Sequence, residues 1–221
     1  ARLIHQDFAG VATELADASK QFDMILLDLG VSSPHLDNAE RGFSFQTDAE
    51  LDMRMDNRQE LTAHIVVNEY SEAELTRVLK DYGEEPRAKQ IAQAIIAQRP
   101  VRSTLQLAAL VEEIYRRRGK THPATRTFQA LRIAVNQELA QLETTLPLLL
   151  QLLQPGGRVV VISFHSLEDR LVKNFFKTEA QKGYEAELQV LTKKPISGAT
   201  NDVLNRRARS AQLRAAIKIN T

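Results

Sequence analysis

The sequence predicts an α/β protein in which a block of helices interrupts an open sheet. Two short apolar segments, residues 22–30 and 158–164, have glycine at a boundary and are too short for helices. Continuous runs of this kind are typical of strands buried on both faces of a parallel sheet. The residues between them place apolar side chains three and four positions apart, which favours helices. We therefore expect both ends of the chain to contribute strands to one sheet.

Weaker patterns complete the predicted order of elements. A candidate strand at residues 2–5 precedes a helix at residues 9–19, and further candidate strands lie at residues 188–191 and 212–219. Pro147 predicts a kink or the start of a new helix near the end of the helical block. The helices predicted in that block cover residues 72–80, 86–98, 105–118 and 126–153.

The composition excludes several classes of protein. The chain has 221 residues, 43% of them hydrophobic, and no cysteine, so it contains neither disulfides nor thiolate chemistry. This points to reducing cytosol, and we expect a cytoplasmic protein with no secretory leader. The longest apolar runs, such as residues 24–27 and 159–162, are too short to cross a bilayer. The five histidines show no metal-ligand spacing, so we expect no metal site.

The net charge of +1 conceals an uneven distribution along the chain. Residues 1–60 hold five basic and twelve acidic side chains, whereas residues 99–132 hold eight basic and two acidic ones. Residues 203–221 hold five basic side chains and no acidic one. Clustered Lys and Arg favour a polyanionic partner, because phosphate contacts release counterions. The alternative interpretation is a set of solvated helix faces.

Polar residues follow both of the strong strands. Ligands of open α/β sheets bind beyond the carboxyl ends of the strands, where Asp28, Gly30 and the Ser-Ser-Pro at residues 32–34 would lie. The alternative for this loop is a helix cap or a turn without a ligand. After the second strand, His165 is either the wall of a polar site or part of an ordinary helix N-terminus, which residues 166–169 also fit.

Six segments of the chain carry a resemblance to known proteins: residues 26–34, 41–45, 51–56, 122–132, 162–170 and 207–214. In this order they closely resemble the motifs of one family, the bacterial ribosomal RNA small-subunit methyltransferase H or MraW family. The resemblance runs from about residue 2 to residue 219. The family methylates N4 of a cytidine in 16S rRNA with S-adenosylmethionine as the methyl donor.

The resemblance implies a Rossmann-like, S-adenosylmethionine-dependent methyltransferase domain at residues 1–37 and 136–221, with an inserted, all-helical, substrate-binding domain at residues 38–135. It places cofactor contacts on Phe8, Asp28 and His35. The family usually has Gln at position 35, and a histidine does not reproduce both functions of an amide. The family's glycine-rich loop and acidic ribose-binding residue are not found in this sequence, so we expect a fragment that holds part of the cofactor site.

Methylation of an exocyclic amine requires the amine to approach the sulfonium methyl in line while an acceptor binds its hydrogens. Amino-methyltransferases commonly place a polar loop after the fourth strand of the sheet, and residues 28–34 occupy the comparable place. By this analogy Asp28, Ser33 and Pro34 are the expected catalytic residues, and positioning supplies most of the rate. The alternative for Asp28 is a carboxylate that only orients the cofactor.

The expected partner is 16S rRNA or the small ribosomal subunit, and a homodimer is also compatible with the resemblance. The target base must be unpaired or flipped out of its stack. Phe43 and Phe45 stack on bases or belong to the core. Arg126 and Arg132 bind RNA or pair with carboxylates. The expected RNA contacts are Arg116, Arg117, Arg118, Arg126, Arg132 and His165.

Two other functions remain open from the sequence. One is a methyltransferase-like RNA-binding module without catalysis, which the missing glycine-rich loop would favour if the chain were complete. The other is a small-molecule or protein methyltransferase on the same fold, which the basic stretches at residues 99–132 and 203–221 argue against.

Overall fold

A computed structural model describes residues 1–115, 121–202 and 204–219, and the chain forms two compact units. The first unit combines Ala1–Gly30 with Leu139–Thr221, and the second is Val31–Glu138. The boundaries expected from the sequence, at residues 37 and 136, both fall within the second unit. The Arg116–Arg118 run lies outside the described residues.

The first unit is built on a mixed sheet. Its described strands lie in the order β1-β2-β5-β3, with β4 also paired to β5. β1 and β2 are parallel, whereas β5 is antiparallel to β2, β3 and β4. The expected α/β class and the parallel pairing of the two strong strands are confirmed, while β5 makes the sheet mixed. The strands are β1 Phe22–Asp28, β2 Leu153–Ser163, β3 Leu188–Val190, β4 Ile196–Ser197 and β5 Gln212–Lys218.

Ten helices are numbered in chain order among the described residues. None of them has the length and apolar content needed to span a bilayer. They are α1 Phe8–Asp17, α2 Ser33–Asp37, α3 Ala63–Glu69, α4 Glu72–Gly83, α5 Ala88–Gln98, α6 Thr104–Ile114, α7 Thr125–Asn136, α8 Glu138–Leu152, α9 Ser166–Ala180 and α10 Gly198–Asn201.

The sheet departs from the sequence predictions in three places. β1 is not buried on both faces, because Met24 and Leu26 are 62% and 59% exposed. Residues 2–5 form no strand. β2 begins at Leu153, earlier than expected, because Leu153 pairs with Phe22 before a bulge interrupts the register. The two-residue strand β4 carries too short a pattern to be recognised.

The long helix predicted over residues 126–153 is two helices. The chain breaks at Gln137, whose φ of 51° is left-handed and therefore ends α7. Pro147, where a kink or a new helix was expected, lies inside α8. The apolar stripe continues across the break, which is why periodicity alone does not locate it.

The second unit has helices α2–α7 and an apolar core of its own. Leu75 and Leu79 of α4, Ile91 of α5 and Leu131 of α7 are fully buried in this core. The segment before α3 is held to α7 by Asn136, which is 4% exposed. Its amide group donates to the Met53 carbonyl at 2.8 Å, and its Oδ1 accepts from the Met55 N–H at 2.7 Å.

Helices α4 and α7 are in close contact at Gly83. A Cβ atom at this position would lie 2.7 Å from the Arg126 carbonyl oxygen and 3.2 Å from the Ala130 Cβ. Only a residue without a side chain fits such a contact between two backbones. The sequence pattern of α4 gives no sign of this requirement.

We expect Gly83→Ala to destabilise the protein by about 1–3 kcal/mol, because the added methyl group overlaps a backbone carbonyl that cannot move independently. Helix propensity alone predicts the opposite sign, a gain of about 0.5–1 kcal/mol. The free energy of unfolding measured in urea distinguishes these two expectations. Lys80→Ala, an exposed change on the same helix, is the control and should alter stability by less than about 0.5 kcal/mol. A stabilised Gly83→Ala variant would contradict the close approach.

Candidate functional site

The two strongest predicted strands end at the same edge of the sheet. In the parallel register of β1 and β2, Asp28 is the partner of Ile162. The N–H of Leu29 continues the pairing by donating to the Ile162 carbonyl at 3.0 Å. The carboxyl ends of two segments far apart in sequence therefore coincide, which is the edge where open α/β sheets bind ligands.

Asp28 presents an exposed carboxylate at this edge. Within the described part of the chain, no hydrogen bond or ion pair engages its side chain, so its oxygens are available to a ligand. Gly30 turns the chain away from the strand with a φ of +83°. A Cβ atom there would contact the Phe164 ring at 3.7 Å, so the constraint is backbone conformation rather than space.

At the end of β2, a buried carboxylate organises the start of α9. Glu168 Oε2 accepts from the N–H groups of Phe164 and His165 at 2.8 and 3.3 Å. The Nδ1 atom of His165 in turn accepts from the Glu168 N–H at 3.4 Å. These bonds support the helix-cap interpretation of His165. Its Nε2 lies 3.2 Å from Glu168 Oε1 without the alignment of a hydrogen bond, and its side chain is only 7% exposed.

The next residue of α9 connects the helix to the sheet. Asp169 accepts two hydrogen bonds from the guanidinium of Arg214 on β5, at 2.6 and 2.9 Å. Arg214 is 7% exposed, so this bidentate pair is largely removed from water. The motifs at residues 162–170 and 207–214 thus contact each other, and this ion pair holds the start of α9 against the sheet.

Phe8 occupies the first turn of α1, after Asp7 caps the helix by accepting from the Gly10 N–H at 2.8 Å. It is half-buried and lines a cavity of about 460 Å³ that also contacts Met24, Leu26 and Leu27. Asp28, the residue after Leu27, is not part of that lining. Of the predicted cofactor contacts in the first unit, Phe8 therefore lines this cavity together with residues of β1, whereas Asp28 does not.

Ser33, Pro34 and His35 form the first turn of α2, in the second unit. Ser33 and Pro34 are exposed, whereas His35 is half-buried against the ring of Phe43, with 5.4 Å between ring centroids. The Nδ1 atom of His35 accepts from the Ser32 N–H at 3.3 Å. Burial and, to a smaller extent, the charge of Arg41 hold the pKa of His35 below its ordinary value. The imidazole is accordingly neutral at pH 7.

The two described arginines proposed as RNA contacts differ in their surroundings. Arg126 is exposed and donates to the Glu84 carbonyl at 3.3 Å. Arg132 makes a bidentate pair with Glu138, with both N–O distances 2.8 Å. The side chains of this pair are 17% and 8% exposed. Pairing with a carboxylate, the alternative interpretation, is thus observed for Arg132, while Arg126 retains an accessible guanidinium.

The two phenylalanines proposed for base stacking are packed within the second unit. Phe43 is 9% exposed and belongs to the core. Phe45 stacks on His122 with centroids 4.4 Å apart and meets Phe128 edge-on at 4.8 Å. His122 is itself held by Glu112, 2.6 Å from its Nε2. The core interpretation is supported for both rings.

Tyr115 is a structural anchor that the sequence did not reveal. It immediately precedes Arg116, and its hydroxyl donates to the buried carboxylate of Glu85. Arg87 lies over its ring, 4.5 Å from the centroid. Burial and the neighbouring Glu85 raise the pKa of Tyr115 to about 12. No local pattern signals this contact, because its partners lie about thirty residues earlier in the chain.

Comparison with known proteins shows the family to which the chain is related. The model of the MraW methylase family matches residues 1–219. A ribosomal RNA small subunit methyltransferase H from Halothermothrix orenii is 45% identical, over 99% of this chain and 76% of the relative. The protein of the same name from Carboxydothermus hydrogenoformans is 51% identical, over 90% of this chain and 70% of the relative. A third, from Nitrosomonas eutropha, is 45% identical over 99% of this chain and 76% of its own length.

A family match over nearly the whole chain, together with relatives of 45–51% identity, does not arise by chance. The two strand ends that meet at one edge are also the segments that carry the family motifs, at residues 26–34 and 162–170. The chain therefore belongs to the MraW methylase family.

Proposed function

We propose that the protein transfers a methyl group from S-adenosylmethionine to N4 of a cytidine in small-subunit (16S) ribosomal RNA. The observation that carries the proposal is the exposed, unengaged carboxylate of Asp28 at the shared end of β1 and β2, in a chain of the MraW methylase family. The names of the relatives support methylation of small-subunit ribosomal RNA. Neither the fold nor the family match favours an RNA-binding module without catalysis.

The residues at the strand edge fit part of a methyl-donor site. S-adenosylmethionine, when bound, supplies a methyl group on a positively charged sulfonium. Asp28 offers an accessible negative charge with no competing cation among the described residues. Phe8 offers a half-buried aromatic surface. We propose Phe8, Asp28 and His35 as the residues of this chain that hold the donor.

Asp28 would also act on the acceptor amine. An exocyclic amine is a poor nucleophile because its lone pair is delocalised into the cytosine ring. A carboxylate that accepts hydrogen bonds from the amine hydrogens favours a tetrahedral nitrogen and fixes the direction of attack. Ser33 and Pro34, five and six residues later at the start of α2, are proposed to complete the positioning of the base.

Arg126 is the described arginine best suited to the RNA backbone. Its guanidinium is exposed, and among the described residues it forms a hydrogen bond only to a carbonyl oxygen, so it can still engage a phosphate. Arg116, Arg117 and Arg118 remain proposed contacts from the sequence, as do Arg132 and His165. Arg132 would have to contact RNA while still paired with Glu138, and His165 while still capping its helix.

We expect Asp28→Ala to lower kcat for methyl transfer about 10²–10³-fold, because one preorganised acceptor at the reacting amine is lost. Thermal stability should be unchanged, since the carboxylate is exposed and makes no described contact. Transfer of labelled methyl groups to 16S rRNA measures the effect. Asp23→Ala, at the opposite end of β1 and also exposed, is the matched control and should keep normal activity. Normal turnover in Asp28→Ala would exclude the proposed role.

Arg132→Ala should destabilise the protein by about 2–4 kcal/mol, because Glu138 is left buried without its partner. Arg126→Ala should cost less than about 0.5 kcal/mol but raise KM for RNA. Chemical unfolding and methyl-transfer kinetics give the two readouts. Replacing Arg132 and Glu138 together by Met should recover most of the lost stability. Equal losses of stability in Arg126→Ala and Arg132→Ala would contradict a structural role for Arg132 and an RNA-binding role for Arg126.

Acidification should weaken the fold partly through His35. The pKa of His35 in the folded protein lies below the value of 6.5 expected in the unfolded chain, so the unfolded state takes up the proton more readily. Its stabilising contribution is present above about pH 6.5 and is lost as the pH falls further. Melting temperatures measured from about pH 7.5 to about pH 5.5 should therefore fall less in His35→Gln than in the wild type. Parallel curves for the two proteins would contradict the assignment.

A further inference from the structure

A basic groove lies beside α9, in the first unit, on the β3 side of the sheet, which is opposite the β1 side in the strand order β1-β2-β5-β3. We call it the α9 groove. It has a volume of about 260 Å³ and runs between α9, the end of β3 and the residues that follow β3. Its lining includes Lys173, Phe176, Lys177, Val190, Lys193 and Arg214.

The helix periodicity explains why two lysines border this groove. Asp169, Lys173 and Lys177 follow one another at four-residue spacing, which places them on one ridge of α9. Asp169 is fixed toward the sheet by its pair with Arg214, so the two lysines continue along the same side of the helix. Lys193 reaches the groove from the opposite wall.

The charge of the groove is not neutralised by the protein. Lys173, Lys177 and Lys193 are exposed, and none of them pairs with a carboxylate in the residues that the structure describes. The two nearest acidic residues of α9 have other partners. Asp169 binds Arg214, and Glu179 lies 2.7 Å from the Nζ of Lys182. Within the described residues, no carboxylate therefore neutralises the three ammonium groups around the groove, and their counterions come from solvent.

The floor of the groove restricts what kind of contact it makes. Phe176 is 1% exposed, so its ring is not available to stack on a base. The volume is below the ~300–1,000 Å³ of typical small-molecule sites. Lysines one helical turn apart, about 6 Å along the axis, suit a chain of negative groups better than one anion. These features favour backbone contact without base recognition.

We propose that the α9 groove binds the phosphodiester backbone of the substrate RNA, away from the methylated base. This inference rests on the proposed function, since it assumes an RNA substrate. Each lysine acts as a point charge that releases a counterion from the RNA on binding. The groove adds affinity for the substrate and does not take part in methyl transfer.

The test is a triple variant, Lys173→Gln, Lys177→Gln and Lys193→Gln, assayed on small ribosomal subunits from cells that lack this enzyme. We expect KM for the subunits to rise about tenfold near 0.1 M salt, and the slope of log KM against log salt to fall by about 2–3. We expect kcat at saturating substrate and the affinity for S-adenosylmethionine to stay unchanged.

The matched control changes three exposed lysines elsewhere, Lys20→Gln, Lys80→Gln and Lys89→Gln, and so removes the same total charge. It should change KM less than about twofold, because long-range effects are screened. Wild-type KM and salt slope in the first variant would overturn the proposal, as would equal effects in both variants. Inhibition of the wild type by inorganic phosphate that the first variant escapes would also overturn it, in favour of a small-anion site. Absence of methyl transfer by the wild type would instead count against the proposed function.

Discussion

The parallel pairing of β1 with β2 is the constraint on which the proposed site depends. The two strands come from parts of the chain separated by the whole second unit, and their register sets Asp28 beside Ile162. Because parallel strands end at the same edge, Asp28 and the Phe164–His165 turn come to that edge together. β5 then pairs with the other side of β2 and contributes Arg214, which holds α9 in place through Asp169.

The polar residues of the family motifs divide into two groups by their surroundings. One group is largely buried and bonded within the protein, and its bonds explain local structure: Glu168 caps α9, Asp169 binds Arg214, and Arg132 neutralises Glu138. The other group is exposed and largely unengaged, as Asp28 is, and it is the natural source of contacts with substrate and methyl donor. A residue of a family motif therefore need not belong to the site. Burying a charge without a partner is very costly, so many polar motif residues pair with each other and stabilise the fold.

Much of this architecture could be predicted from local sequence. Strands β1, β2, β3 and β5 and most helices follow from apolar periodicity and from glycine boundaries. Contacts between distant residues could not, because no local pattern encodes them: the Arg132–Glu138 pair, the Tyr115–Glu85 bond and the close approach at Gly83 all required the structure. The break at Gln137 was hidden by an uninterrupted apolar stripe, and residues 2–5 have strand-forming side chains but no strand partner among the described residues. At the site, the predicted strand ends were enough to identify Asp28. The different roles of Arg126 and Arg132 could be assigned only from the partners seen in the structure.

The central claim is that the methyl donor binds at the shared end of β1 and β2. Ultraviolet cross-linking of labelled S-adenosylmethionine to the protein, followed by tryptic digestion and mass spectrometry, tests it directly. Trypsin releases the two strand ends in separate peptides, residues 21–41 and 159–170. We expect label on at least one of these peptides, and excess unlabelled donor should prevent this labelling. Displaceable label found only on peptides from residues 42–132 would contradict it.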